Sequence, residues 1–212
     1  EGFSWHNLPM PYGLSARIDE KLHSIETPNV NPGWAAMSPD KKNIVWSICE
    51  GLHLPANLCI VSHDGGQTFS RTKMMGSGSC IKCFSDRVDS SIFYGFGASS
   101  QVYISRDGGS SFAEYKPDTV IPKTDFALID TANRTEIRGV SGRIGEFYIA
   151  AGKNGLYRMN YSKETDTLKL KKISKKNDTV FKIGLGIPFG CSDYLLCGTP
   201  ALYICGIING QY

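Results

Sequence analysis

Two carboxylates recur in matched settings: Asp64 in "IVSHDGGQTF" (60–69) and Asp107 in "YISRDGGSSF" (103–112), 43 residues apart. A pair of Asp side chains is the minimal equipment for cutting a glycosidic bond, one acting as general acid and one as base. The settings of these two argue for a different task. Each Asp follows a Ser by two positions, precedes a Gly pair and is closed by Ser or Thr and then Phe. Asp-Gly between apolar runs is a hairpin signal, in which Gly takes φ > 0 and the carboxylate accepts hydrogen bonds from its own turn. A single active site does not explain two copies, whereas a turn staple is repeated once per structural unit. Ser62, Asp64 and Gly66, with Ser105, Asp107 and Gly109, are therefore assigned to turns, not to catalysis.

The pattern S-x-D-x-G-x-[ST]-F resembles the Asp-box of sialidases, sortilin-type receptors and several glycoside hydrolase propellers. Repeats of roughly 40–50 residues mark propeller blades. Short strand-prone runs broken by Gly, Pro and Asp turns, with no helical period, predict an all-β chain. We expect a β-propeller of four-stranded antiparallel blades, a partial ring of about four, with approximate blades at 30–73, 79–117, 135–175 and an incomplete 179–212. Residues 1–29 read as the end of a preceding blade plus a connection. The third blade carries the polar tip "SKETDT" where its Asp-box should be. Four blades leave uncovered edges, so the missing ones are expected elsewhere in a parent protein. Opening on "EGFSWHNLP" and ending on "GIINGQY", the chain reads as a fragment or a processed chain.

Lys+Arg 23 against Asp+Glu 20 give a net charge of +3, too balanced for nucleic acid. The basic run "LKLKKISKK" (168–176) alternates with apolar residues and reads as a solvated strand face. No apolar run is long enough for a membrane span. Sequons at Asn133, Asn160 and Asn177 and seven cysteines point to a secreted, extracellular chain. Cys80 and Cys83 form a C-x-x-C within a strand pattern that turns them to opposite sides, so neither a redox motif nor a mutual bridge is expected. Cys49 and Cys59, near facing ends of neighbouring strands, are the candidate disulfide.

No His/Cys/Asp/Glu group has metal-ligand spacing and no Gly-rich loop opens a helix, so neither metal nor cofactor is expected. A glycan groove needs flat aromatic faces, and the tryptophans are Trp5, Trp34 and Trp46. Trp46 leads into the loop "CEGLHLPANLC", which also carries His53. These two are the candidate carbohydrate contacts, with strand packing the competing role for Trp46.

The order of "NIVWS", the first Asp-box, "SDRVDSSIFYGF", "VYISRDGGSSF", "GRIGEFYIAAGKNGLYR" and "KIGLGIPFGCSDYLLCGTPALYICGIINGQY" resembles the closing part of the catalytic region of glycoside hydrolase family 74, the xyloglucanases. The resemblance implies two seven-bladed propellers across a long cleft and an inverting two-Asp mechanism on xyloglucan or a related β-1,4-glucan. The family's acid lies in an "Asp-Ile-Gly-Gly-Phe"-like segment upstream of the matched part and its base in the other propeller. Neither motif occurs here, so both catalytic Asp are expected outside this chain, which alone would not be an enzyme. Expected partners are a polysaccharide or other glycan and the remaining blades or second propeller of the parent protein. The alternatives are a non-catalytic extracellular propeller that binds glycan or protein or is structural, and a sortilin-like receptor ectodomain, against which "SDRV...IFYGF" and "GLYR" speak.

Overall fold

The computed structural model describes residues 31–49, 58–74, 81–97, 101–119, 136–190 and 200–211, and every regular element among them is a strand. The first sheet orders β1 (Asn31–Met37), β2 (Ile44–Cys49), β3 (Leu58–Ser62) and β4 (Ser70–Arg71) consecutively and antiparallel. Beyond β4 the chain passes to the second sheet, where the two-residue β5 (Lys73–Met74) lies parallel to its outermost strand. That sheet runs β6 (Lys82–Ser85), β7 (Phe93–Phe96), β8 (Val102–Ser105) and β9 (Ser111–Tyr115). The third repeats the plan with β10 (Glu136–Gly139), β11 (Glu146–Ala150), β12 (Leu156–Ser162) and β13 (Thr167–Lys172). A pair, β14 (Thr179–Gly186) and β15 (Ala201–Ile207), follows. This is the all-β architecture of a propeller, four-stranded antiparallel blades in an open arrangement. The expected end of a preceding blade, 1–29, lies outside the described residues.

The cores lie between sheets. Ala36, Val45 and Val61 of the first sheet meet Phe93, Tyr103 and Phe112 of the second. The other face of the second, with Tyr94, Phe96 and Ile104, meets Phe147, Met159 and Leu170 of the third. Tyr148, Ala150 and Leu156 on the third sheet's far face meet Val180 and Ile183. Strands covered on both faces lose the apolar-polar alternation of a half-exposed sheet, and β7, β8 and β11 are accordingly buried along their whole length.

Sheet contact also runs through the turns. In the second Asp-box, Gly109 has φ +96, and a β-carbon there would stand 2.1 Å from Cγ2 of Val45 in the first sheet. Only glycine satisfies both the turn and the approach. Thr72 Oγ1 donates to the Gly109 carbonyl at 3.1 Å, and Lys73 N–H to Ser110 O at 2.8 Å, fastening the chain as it leaves the first sheet. Asp86, fully buried, does the same between the second and third sheets. Its Oδ1 accepts from the N–H groups of Val88 (2.8 Å) and Asp89 (3.0 Å), its Oδ2 from Tyr94 Oη (3.0 Å) and Gly145 N–H (2.7 Å).

Of the expected Cys49–Cys59 pair, the Cys59 side chain is described, and it is buried. Across the β2–β3 ladder Cys59 pairs with Ser47. Its neighbour is Cys83 of the second sheet, within the same core layer.

Candidate functional site

The two Asp-boxes superpose in chemistry. Asp64 Oδ1 accepts from Ser62 Oγ (2.7 Å) and Thr68 N–H (2.9 Å), and Oδ2 from Thr68 Oγ1 (2.6 Å). Asp107 repeats this with Ser105 Oγ (2.8 Å), Ser111 N–H (2.9 Å) and Ser111 Oγ (2.5 Å). The serine hydroxyls in turn accept from Gly66 and Gly109 N–H, each at 2.8 Å. Hydrogen bonds to a carboxylate favour its charged form. Thr68 and Ser62 hold the Asp64 carboxyl well below its ordinary range. At Asp107 partial desolvation works the other way and is outweighed by Ser111 and Ser105, so its pKa is also lowered. A group held ionised this firmly is a poor general acid at neutral pH.

Further carboxylates are also committed to structure. Asp178 accepts from Lys175 N–H (2.8 Å) and Asn209 N–H (3.0 Å), and Asp89 pairs with Lys163 at 2.8 Å. The third sheet has its own substitute for the lost Asp-box. Asp166, at φ +53, accepts from Tyr115 Oη (2.5 Å) and Tyr161 Oη (3.2 Å) and pairs with Arg106 of the second Asp-box. No group of three His, Cys, Asp or Glu among the described residues can hold a metal ion. Among the described residues no helix long and apolar enough to cross a membrane occurs, which leaves β-barrels unaddressed.

A recess lies along the first strands of the sheets. A cavity of about 670 Å³ is lined by Trp34 of β1, Phe84 of β6, Arg138 of β10 and Leu185 of β14, with Arg87 and Ser141 from the adjoining turns. Trp34 arrives there through a local irregularity. The β1–β2 register shifts between Pro32 and Ala35, and Ser47 supplies the missing ladder partners, accepting from Trp34 N–H (3.0 Å) and donating to Trp34 O (3.1 Å). Bulges of this kind re-aim a side chain. The Lys82 ammonium stands 5.2 Å from the Trp34 ring centroid and 5.6 Å from that of Phe84, a cation–π arrangement. Burial pulls the pKa of Lys82 down, Glu136 opposes this, and Lys182 and Arg138 add to it. The wall thus combines flat apolar faces with hydrogen-bond donors, the chemistry that suits a sugar's C–H surface and hydroxyls.

Sequence reasoning singled out none of Trp34, Lys82, Phe84 and Arg138. The only available signal was "NPGW", a Pro-Gly pair that interrupts the strand just before Trp34. Trp46 is half-buried on β2 and lies outside that recess, opposite Ala35 and Ile60 in the register. His53 and Asn133 lie outside the described residues. Asn160 and Asn177 are exposed, Asn177 in a turn and Asn160 within β12.

Two enzymes align in sequence. The chain is 30% identical over 155 residues to an oligoxyloglucan-reducing end-specific xyloglucanase of Emericella nidulans, covering 68% of this chain and 18% of that protein. It is 31% identical over 121 residues to a xyloglucanase of a Paenibacillus species, covering 57% of this chain and 10% of that one. The chain therefore spans less than a fifth of the length of either. In fold it is similar to the GH74 xyloglucanase of Xanthomonas campestris, with a TM-score of 0.60 and 22% identity over 84% of this chain and 22% of that one. No protein-family model matches the chain.

Proposed function

We propose that this chain, a propeller region of the family 74 xyloglucanase type, is part of a secreted glycoside hydrolase acting on xyloglucan or a related β-1,4-glucan. The observation that carries the proposal is the alignment with two xyloglucanases, one of them over 68% of the chain. The chain supplies one wall of a glycan site, and the acid and base of an inverting mechanism lie on other parts of the parent. Trp34 and Phe84 offer stacking faces in the recess along the first strands, and Trp46 and His53 are further candidate contacts. The hydrogen bonds that tie up Asp64 and Asp107 support a location of the chemistry elsewhere.

That commitment of carboxylates to turns equally suits a second reading, an extracellular propeller that binds glycan without cutting it. The experiment that separates the two is hydrolysis of xyloglucan by the intact parent, with the anomeric form of the product followed by NMR. Turnover giving the inverted anomer supports the hydrolase. Ordered binding without turnover on any β-glucan leaves the binding propeller. The chain expressed alone should release no sugar.

A further inference from the structure

We infer that Cys59 and Cys83 are the two halves of a disulfide joining the first and second sheets. Cys59 lies on β3 and Cys83 on β6. Both side chains enter the core layer shared by those sheets, where they are 1% and 2% exposed. Cys83 has the Cys59 thiol and Ser47, the cross-strand partner of Cys59, as neighbours, and both cysteines are free thiols in this structure. A disulfide requires β-carbons about 3.5–4.5 Å apart, and two thiols that neighbour each other in one core layer are placed to reach it. The bond would span two sheets that also meet through apolar packing, the turn contacts at Gly109 and hydrogen bonds from Asn43 and Asp40 to Ser90.

Formation follows thiol–disulfide exchange with an oxidised dithiol donor such as oxidised glutathione. Each cysteine gives up its proton, the two sulfurs join, and the two electrons reduce the donor's disulfide to two thiols. Exchange proceeds through a thiolate. In the folded chain the Cys59 contact and burial push the Cys83 thiol well above its ordinary range.

The inference rests on the secretion part of the proposed function, because cytosolic thiols stay reduced. Its test is the intact parent protein secreted from a eukaryotic host, alkylated without reduction and digested with trypsin. Cleavage after Lys82 and Arg87 releases Cys83 separately from Cys80, while Cys59 falls in the fragment 43–71. We expect these two fragments to be cross-linked, with fragmentation placing the bond on Cys59. The cross-link should persist in Cys49→Ala and vanish in Cys59→Ala. Cys83 recovered alkylated, or bonded to any other cysteine, overturns the bridge. Glycan occupancy at Asn160 and Asn177 in the same digest reports passage through the oxidising route, so it shows whether the secretion reading falls with the bridge or stands without it.

Discussion

The carboxylate of Asp86, in the turn after β6, accepts a hydrogen bond from the Gly145 N–H at 2.7 Å and thereby ties the second sheet to the turn between β10 and β11 of the third. The same oxygen accepts from Tyr94 Oη at 3.0 Å, and both burial and the carboxylate raise the tyrosine's pKa, so the phenol stays a donor. Asp86→Ala leaves two sheets' worth of buried donors without an acceptor. It should cost about 2–4 kcal/mol, measured by chemical denaturation. A loss no larger than that of an average exposed substitution would mean that apolar packing alone sets the sheet-to-sheet contact.

A different pH signature is expected from the Asp-boxes. The folded-state pKa values of Asp64 and Asp107 are both depressed. The unfolded chain therefore takes up protons first as the solution is acidified. Their contribution to stability is complete above the unfolded value of about 3.9 and is lost as pH falls below it. Thermal melts of the Asp64→Asn and Asp107→Asn variants should show lower melting temperatures at neutral pH and a flatter fall below about pH 4 than the wild type. Parallel acid limbs would assign the depression to other groups.

Glycine supplies a third contrast. Gly65 and Gly109 both have positive φ, but a β-carbon on Gly65 meets only the Lys41 carbonyl oxygen at 3.6 Å, whereas one on Gly109 stands 2.1 Å from Val45. Gly65→Ala should cost about 1 kcal/mol of backbone strain. Gly109→Ala adds an inter-sheet clash and should cost about 3 kcal/mol or more. In the double variant Gly109→Ala/Val45→Ala much of the excess should return, because the clashing methyl is gone. A Gly109→Ala loss unmoved by Val45→Ala would reduce the effect to the turn itself.

What the sequence revealed depended on how local the cause is. The Asp-box was legible because all its partners, from Ser62 to Thr68 and from Ser105 to Ser111, lie within a few residues of each Asp. Asp86 was not, since its partner Gly145 is 59 positions away and neither residue advertises the other. Asp166 was missed for a related reason. Its local motif is gone, but its contacts with Tyr115 and Arg106 of the neighbouring sheet retain a fastening role. The nearness of Cys59 to Cys83 was not legible either, because it depends on the core layer shared by two sheets and not on the strand ends that suggested Cys49. Trp34 needed knowledge of a bulge that only the β1–β2 pairing displays.

Glycan binding gives the last prediction. In the intact parent, Trp34→Ala and Trp46→Ala should each weaken binding of long xyloglucan oligosaccharides more than short ones, because a stacking face away from the cut site contributes only when the substrate reaches it. Calorimetry with a length series checks this. Trp34 loses a ring that lines the recess and lies under the Lys82 ammonium, so its variant should show the larger effect, about tenfold in Kd for the long ligand, the equivalent of about 1.4 kcal/mol. Trp46 is half-buried on β2 away from that recess, and its effect should be smaller. Equal losses at all lengths, accompanied by a fall in melting temperature, would return either residue to packing. An unchanged affinity in both variants would remove this wall from the glycan site.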